Sequence, residues 1–111
     1  MGFPKYEIYT GRDDQIYFRL FAGNGEKILK SEGYTSKSAC ENGIESTRKN
    51  APIDERYRRK SAVDEEFYFV LVAGNGEPIG VSEVYKSESS RNSGIESVKR
   101  NAHGSPVEDT T

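Results

Sequence analysis

Few residues of this chain could do chemistry, and their surroundings decide what that chemistry would be. His103 is the one histidine and stands between Ala102 and Gly104, among small and polar residues. A general base must be held against the group it deprotonates, and a histidine in such a segment reads as a solvated connector. Cys40 is the one cysteine, and the residue 51 positions later is Arg91; a position that accepts a long charge need not hold a reactive thiol. Asp13-Asp14 and Asp64-Glu65-Glu66 recur at the same phase. Paired cation sites are the functional reading, but Asp favours turn geometry on its own account, and neither Cys/His spacing nor a calcium-loop arrangement accompanies them. Gly23-Asn24-Gly25 opens like a phosphate loop, yet it joins two strand-like runs and lacks a third glycine and a following helix. No catalytic residue, cofactor or metal is implied, and the expectation is a protein that is not an enzyme.

Binding chemistry has more to work with. Arg56, Arg58 and Lys60 would alternate onto one face of a strand, with Tyr57 and Arg59 on the other. Joined to Tyr17, Arg19 and Phe21, they could form a sheet surface for RNA or single-stranded DNA, where aromatics stack and cations meet phosphates. The plainer reading is a solvated edge strand whose charges oppose edge-to-edge aggregation. Tyr17, Phe21, Tyr68, Val70 and Val72 fall on the side of their strands opposite the expected core, and an exposed apolar sheet face of that size marks a partner or self-association site.

Composition narrows the classes. With 111 residues, 33% hydrophobic and 11% aromatic, the chain has the content of one small globular domain. Residues 1–51 carry 8 Lys/Arg against 7 Asp/Glu and residues 52–111 carry 8 against 11, a net −2 with pI near 5.5. Such a chain lacks the broad positive field of non-specific nucleic-acid binders. One cysteine allows no intrachain disulfide, which favours a cytoplasmic address. Nowhere does an apolar run approach the roughly 20 residues of a membrane span.

The elements that must position these residues come twice. Ile16 to Ala51 aligns without a gap on Phe67 to Ala102, with 20 of 36 positions identical. Asn24-Gly25 and Asn75-Gly76 sit between aromatic and aliphatic runs, which predicts type I′ hairpin turns joining strands over 15–22 and 27–33 and their repeats. Phe18, Leu20 and Ala22, like Phe69, Leu71 and Ala73, share the expected core face. A three-residue Gly-Asn-Gly loop would shift the returning strand by one residue and reverse its side chains, so the facing of Ile28 and Leu29 stays open. Ser36 and Ser87 read as N-caps of helices running to about Lys49 and Arg100, with Asn50 and Asn101 as left-handed end residues. Cys40, Ile44 and Thr47 form a narrow apolar stripe, matched by Ile95 and Val98. Mid-helix Gly43 and Gly94 cost about 1 kcal/mol each in propensity; a close approach of the helix to the sheet explains them better than a hinge.

A further extended segment precedes each hairpin, Lys5 to Thr10 and Arg56 to Lys60, and the 51-residue phase reaches Val107 and Glu108 for a third, short copy. The expectation is one α+β domain over 1–111: repeat one about 1–51, repeat two about 52–102 and a C-terminal strand and tail over 103–111. Two β3-α repeats would share a single antiparallel-rich sheet with both helices on one face.

Gly33-Tyr34-Thr35-Ser36-Lys37, Ala22-Gly23-Asn24-Gly25-Glu26, Asn42-Gly43-Ile44-Glu45-Ser46 and Asn50-Ala51-Pro52-Ile53-Asp54-Glu55-Arg56-Tyr57 closely resemble the YegP-like family of small bacterial tandem-repeat proteins. The resemblance implies tandem β3-α-β units whose last strands, Glu55 to Lys60 and Pro106 to Thr110, are exchanged between the halves. It implies no activity and carries no catalytic residues. The second repeat has Val70 where Arg19 stands and Pro78 where Lys27 stands. The functional expectation is a small non-enzymatic binding or protein-interaction module, a cytoplasmic monomer without membrane contact. Its surface would be Tyr17, Arg19, Phe21, Tyr68, Val70, Arg56, Arg58 and Lys60, with single-stranded nucleic-acid binding through the sheet face as the second reading.

Overall fold

Alternation of Phe18 and Leu20 with Tyr17, Arg19 and Phe21 demands a strand with one buried face, and strand β2 spans Ile16–Phe21 with Phe18 and Leu20 fully buried. The computed structural model describes residues 2–111. In chain order the elements are β1 (Lys5–Thr10), β2, β3 (Lys27–Ser31), α1 (Lys37–Asn50), a 3₁₀ turn (Asp54–Arg56), β4 (Tyr57–Ala62), β5 (Glu66–Val72), β6 (Pro78–Val81), α2 (Glu88–Asn101) and β7 (Val107–Asp109). Seven strands form one sheet in the order β4-β5-β6-β3-β2-β1-β7, antiparallel except for the β1–β7 pair. The final strands are exchanged: β4 leaves α1 to pair with β5, and β7 leaves α2 to pair with β1.

The halves meet where β3 pairs with β6, and Lys30 faces Val81 across that seam. These residues are 51 apart, so a pseudo-twofold axis passes between them. Close to an axis two equivalent large side chains compete for one space. Leu29 fills it, fully buried, and its counterpart is Gly80, where a Cβ would stand 2.9 Å from both Leu29 Cγ and the Lys30 carbonyl oxygen.

The hairpins close differently from the type I′ expectation, which requires positive φ at both Asn24 and Gly25. Only Gly25 has it, at +85°, as does Gly76 at +86°. Gly25 N–H donates to the Ala22 carbonyl at 2.9 Å and Ala22 N–H to the Glu26 carbonyl at 2.8 Å, a three-residue loop with glycine in the left-handed region. A bulge follows: Leu20 faces Leu29 while Phe21 faces Lys27, leaving Ile28 as the extra residue. Ile28 and Leu29 are therefore both buried, as are Ile79 and Gly80 in the second repeat.

Both helices cover the face that carries Phe18, Leu20, Phe69 and Leu71. Ser36 and Ser87 cap them, each hydroxyl oxygen accepting from the backbone N–H three residues on. Asn50 is not a left-handed end residue: the helical backbone continues through Ala51 at φ −56°. Its side chain works instead, Nδ2 donating to the Ser46 carbonyl at 2.8 Å and Oδ1 accepting from Arg56 Nε at 3.0 Å. Gly43 admits the tip of a ring, since a Cβ there would lie 2.2 Å from Tyr34 Oη; at Gly94 it would lie 2.5 Å from Tyr85 Oη. The close approach thus comes from a tyrosine between strand and helix and not from the sheet backbone.

Each half also holds the exit of the other's helix. Arg48 of α1 donates to the carbonyls of His103 and Ser105 beyond α2, at 3.1 and 2.9 Å, and Lys99 of α2 pairs with Asp54 beyond α1 at 2.9 Å. Tyr6 Oη donates to the Ala102 carbonyl and its counterpart Tyr57 Oη to that of Ala51, both at 2.7 Å.

Two outcomes follow. Gly80→Ala should destabilise the protein by about 1–3 kcal/mol in chemical denaturation, through overpacking against Leu29 and a fixed carbonyl. At β7, Lys37, then the Thr111 hydroxyl and N–H, holds the Asp109 carboxyl down to about 2, and Lys5 lowers that of Glu108. Folded values below the unfolded ones stabilise above the unfolded range and lose that contribution as pH falls toward the folded value. Between about pH 4 and 2, hydrogen-exchange protection of Tyr6 and Thr110, whose N–H groups bridge β1 and β7, should fall before that of Leu20.

Candidate binding surface

The sheet face away from the helices is the surface that the sequence singles out. Register fixes its central row across all seven strands: Arg58, Val70, Val81, Lys30, Arg19, Glu7 and Glu108.

On the first half this row is self-contained. Arg19 Nε donates to Glu7 Oε1 at 2.6 Å while its guanidinium lies 4.2 Å over the Tyr9 ring and 5.6 Å from that of Phe21. Tyr9 and Tyr17 stack with centroids 5.6 Å apart, and Tyr17 Oη donates to Asp13 Oδ2 at 2.7 Å, which lowers the Asp13 pKa and raises that of Tyr17. Phe21 packs on Phe3 at 5.5 Å, and Lys5, paired with Glu108, lies over the Phe3 ring. Tyr17, Arg19 and Phe21 are thus brought together but already engage one another and their neighbours.

The second half repeats the geometry without the partners. Glu7 facing Arg19 becomes Arg58 facing Val70, and Tyr9 facing Tyr17 becomes Lys60 facing Tyr68. Among the described residues Arg58, Lys60 and Lys30 form no ion pair; Arg58 donates to the Glu55 carbonyl at 3.0 Å, and Lys30 Nζ stands 5.6 Å over the Tyr17 ring. Arg56 does not join them. It lies in the 3₁₀ turn before β4 with its guanidinium committed to Asn50, because alternation along the strand begins one residue later than expected. Val72 is only 4% exposed, and Tyr17, Phe21, Tyr68 and Val70 are half-buried, so the face is not the broad apolar patch that the alternation suggests. Arg19 covers the Tyr9 and Phe21 rings and Lys30 that of Tyr17. Val81, which sequence reasoning did not place here, is 36% exposed between Val70 and Lys30; the missing information was the β3–β6 seam.

The residues with catalytic potential stay apart. His103 is exposed in the turn after α2. Cys40 is buried under α1, and desolvation, followed by Glu41 and Asp109, pushes its thiol up to about 11. Asp13, Asp14, Asp64 and Glu65 occupy strand-connecting turns, where Asp14, Asp64 and Glu65 take positive φ, and no group of three or more potential metal ligands occurs among the described residues.

The domain-family profile described as "Domain of unknown function (DUF1508)" matches residues 12–57 and again 62–109. The chain belongs to this family. Each match runs from the first hairpin strand through the helix into the exchanged strand, the unit seen in the fold. The UPF0339 protein in the ptx operon 5′ region of Stutzerimonas stutzeri is 51% identical over 92% of each chain, and UPF0339 protein YegP of Escherichia coli K12 is 48% identical over 96% of each. The solution NMR structure of E. coli yegP, a protein of unknown function, superposes with TM-score 0.92 at 46% identity, covering 100% of this chain and 96% of that one. That of a UPF0339 protein from Shewanella oneidensis gives 0.89 at 45% identity, over 95% and 89%. The YegP-like resemblance is thereby established over the full chain, and the family carries no assigned activity. No helix among the described residues is long and apolar enough to cross a membrane.

Burial of the thiol predicts that iodoacetamide alkylates Cys40 on the order of 100-fold more slowly in the native protein at pH 8 than after unfolding, as read by mass spectrometry.

Proposed function

We propose that this protein is a small non-enzymatic binding module, a cytoplasmic monomer whose residues 1–111 act as one domain, and that the β4-β5-β6-β3 side of its open sheet face meets a protein partner. The observation that carries this reading is the row Arg58, Val70, Val81, Lys30: two cations without ion pairs among the described residues flank two valines across the β3–β6 seam, on a sheet whose β2-β1-β7 side is internally neutralised. An acidic and apolar segment complements that row. The one cysteine, buried and unpaired, supports a reducing setting.

Single-stranded nucleic acid is the second reading, favoured by Tyr68 beside Lys60 and Arg58. Against it, the Tyr17 ring is stacked on Tyr9 and its hydroxyl is taken by Asp13, so only one tyrosine of the pair offers a free platform.

Tagged wild-type protein and a Lys30→Glu/Val70→Glu variant should be compared in affinity capture from lysate, with and without nuclease. The glutamate introduced on β5 would face Arg58 as Glu7 faces Arg19, so stability should stay within about 1 kcal/mol of wild type. A nuclease-resistant protein held by the wild type and lost at least tenfold by the variant is the expected result. Equal retention by both overturns the face assignment. Retention that nuclease abolishes and that falls steeply with salt replaces it with the nucleic-acid reading.

A further inference from the structure

The pseudo-twofold relates β1-β2-β3 to β4-β5-β6, but β7 has no counterpart. It pairs in parallel with the outer edge of β1, while the outer edge of β4, related by the axis, is bare among the described residues. The reason is topological. In the tandem chain β4 is both the strand that leaves the first repeat and the strand that enters the second, so it cannot also cover its own edge.

The β1–β7 contact gives the backbone geometry that a strand added at the β4 edge would adopt. There Tyr6 N–H donates to the Pro106 carbonyl at 2.8 Å and Thr110 N–H to the Ile8 carbonyl at 2.9 Å. Glu108 pairs with Lys5, and Asp109 with Lys37 at 2.8 Å. Shifted by 51 residues, the outward backbone groups belong to Tyr57 and Arg59. Tyr57 N–H is already given to the Asp54 carbonyl in the 3₁₀ turn, so a vacant ladder begins at the Tyr57 carbonyl and continues through Arg59 N–H and C=O to Ser61.

The flanking groove agrees. Val107 of β7 lines a groove of about 180 Å³ with Glu41, Asn42, Ile44 and Glu45 of α1. The matching side of α2, with Asn92, Ser93 and Glu96, walls a groove of about 850 Å³ beside Arg59 and Arg100. What lies in the first groove is absent from the second. Residue types follow the difference: Ile8, buried beside β7, is replaced by the exposed Arg59.

Charge selects the occupant. Arg58, Arg59 and Lys60 run consecutively along β4, and Arg100 stands on the groove wall. Of the carboxylates beside the groove, Asp54 is engaged by Arg59 and Lys99, Glu96 by Lys99, and Glu88, which stands where Lys37 stands in the first repeat, by Arg91 at 3.8 Å. A second copy's β4 would be repelled by these cations. We infer that the free edge of β4 is a strand-addition site for an extended acidic peptide of another protein, an apolar residue followed by two carboxylates, bound in parallel as Val107-Glu108-Asp109 is bound to β1. The inference concerns the sheet's edge, so it stands or falls independently of the open face.

The test titrates the ¹⁵N-labelled full chain with the acetylated peptide Ser-Pro-Val-Glu-Asp-Thr-Thr, which copies residues 105–111, read by amide shifts and exchange protection. Shifts and new protection at Arg59 and Ser61 are expected. A peptide with Lys-Lys for Glu-Asp, and one N-methylated at the glutamate so that it cannot complete the ladder, should each bind at least tenfold more weakly. Arg59→Pro removes the outward N–H at an edge position that tolerates proline and should abolish binding; should that variant not fold, the N-methylated peptide makes the same test on the native chain. Lys30→Glu, three strands inward, should leave peptide binding unchanged. No shift up to several millimolar peptide overturns the proposal. So do equal binding of the charge-reversed peptide and shifts at Tyr6 and Ile8, which would mean exchange with β7 at the other edge.

Discussion

The structure depends on the antiparallel seam between β3 and β6. Neither three-stranded half covers enough apolar surface to stand alone, and the seam turns two small sheets into one on which both helices rest. Its cost is steric: an axis between Lys30 and Val81 forces the buried residues beside it to differ, and they are Leu29 and Gly80. The two repeats had to become unlike there before they could be packed alike elsewhere.

From that seam outward the repeats diverge by position. The buried positions are near duplicates: Phe18 and Phe69, Leu20 and Leu71, Ile44 and Ile95, with Gly43 and Gly94 accepting Tyr34 and Tyr85. The open face is not duplicated. Glu7 and Arg19 neutralise each other, whereas Arg58 faces Val70. Divergence on a solvated surface costs little stability, so a duplicated chain is free to assign different work to the two halves of its face.

Much of this architecture was legible before any coordinates. The 51-residue phase, the serine caps and the alternation around Phe18 and Phe69 locate every strand and both helices, because each rests on local chemistry repeated twice. What failed rested on a single backbone angle or on a partner strand. Asn24-Gly25 reads as a type I′ turn, yet the loop takes one more residue, a choice made by the bulge at Ile28. Asn50 and Asn101 resemble helix terminators, yet both stay helical, each side-chain amide donating to the carbonyl four residues back. Of the expected binding residues, Tyr17, Arg19, Phe21, Tyr68, Val70, Arg58 and Lys60 do share a face, while Arg56 leaves it for Asn50. That Tyr17 and Phe21 would be half-covered follows from Lys30, Arg19 and Phe3, contacts that a single strand's alternation does not contain.

The exchange of β7 also sets an order of events. Strand β1 precedes the first repeat's hairpin and its outer neighbour β7 follows the second repeat's helix, with Tyr6 facing Val107. During synthesis the first half can form its hairpin and helix early, but its outermost ladder must wait until residue 109 has left the ribosome. Until then both edges of the joined sheet are open, and only the cationic one is protected by its own charges. The acidic segment Glu108-Asp109 then serves as a late fastener, and a chain from which it is cut away would keep both helices and leave β1 exposed.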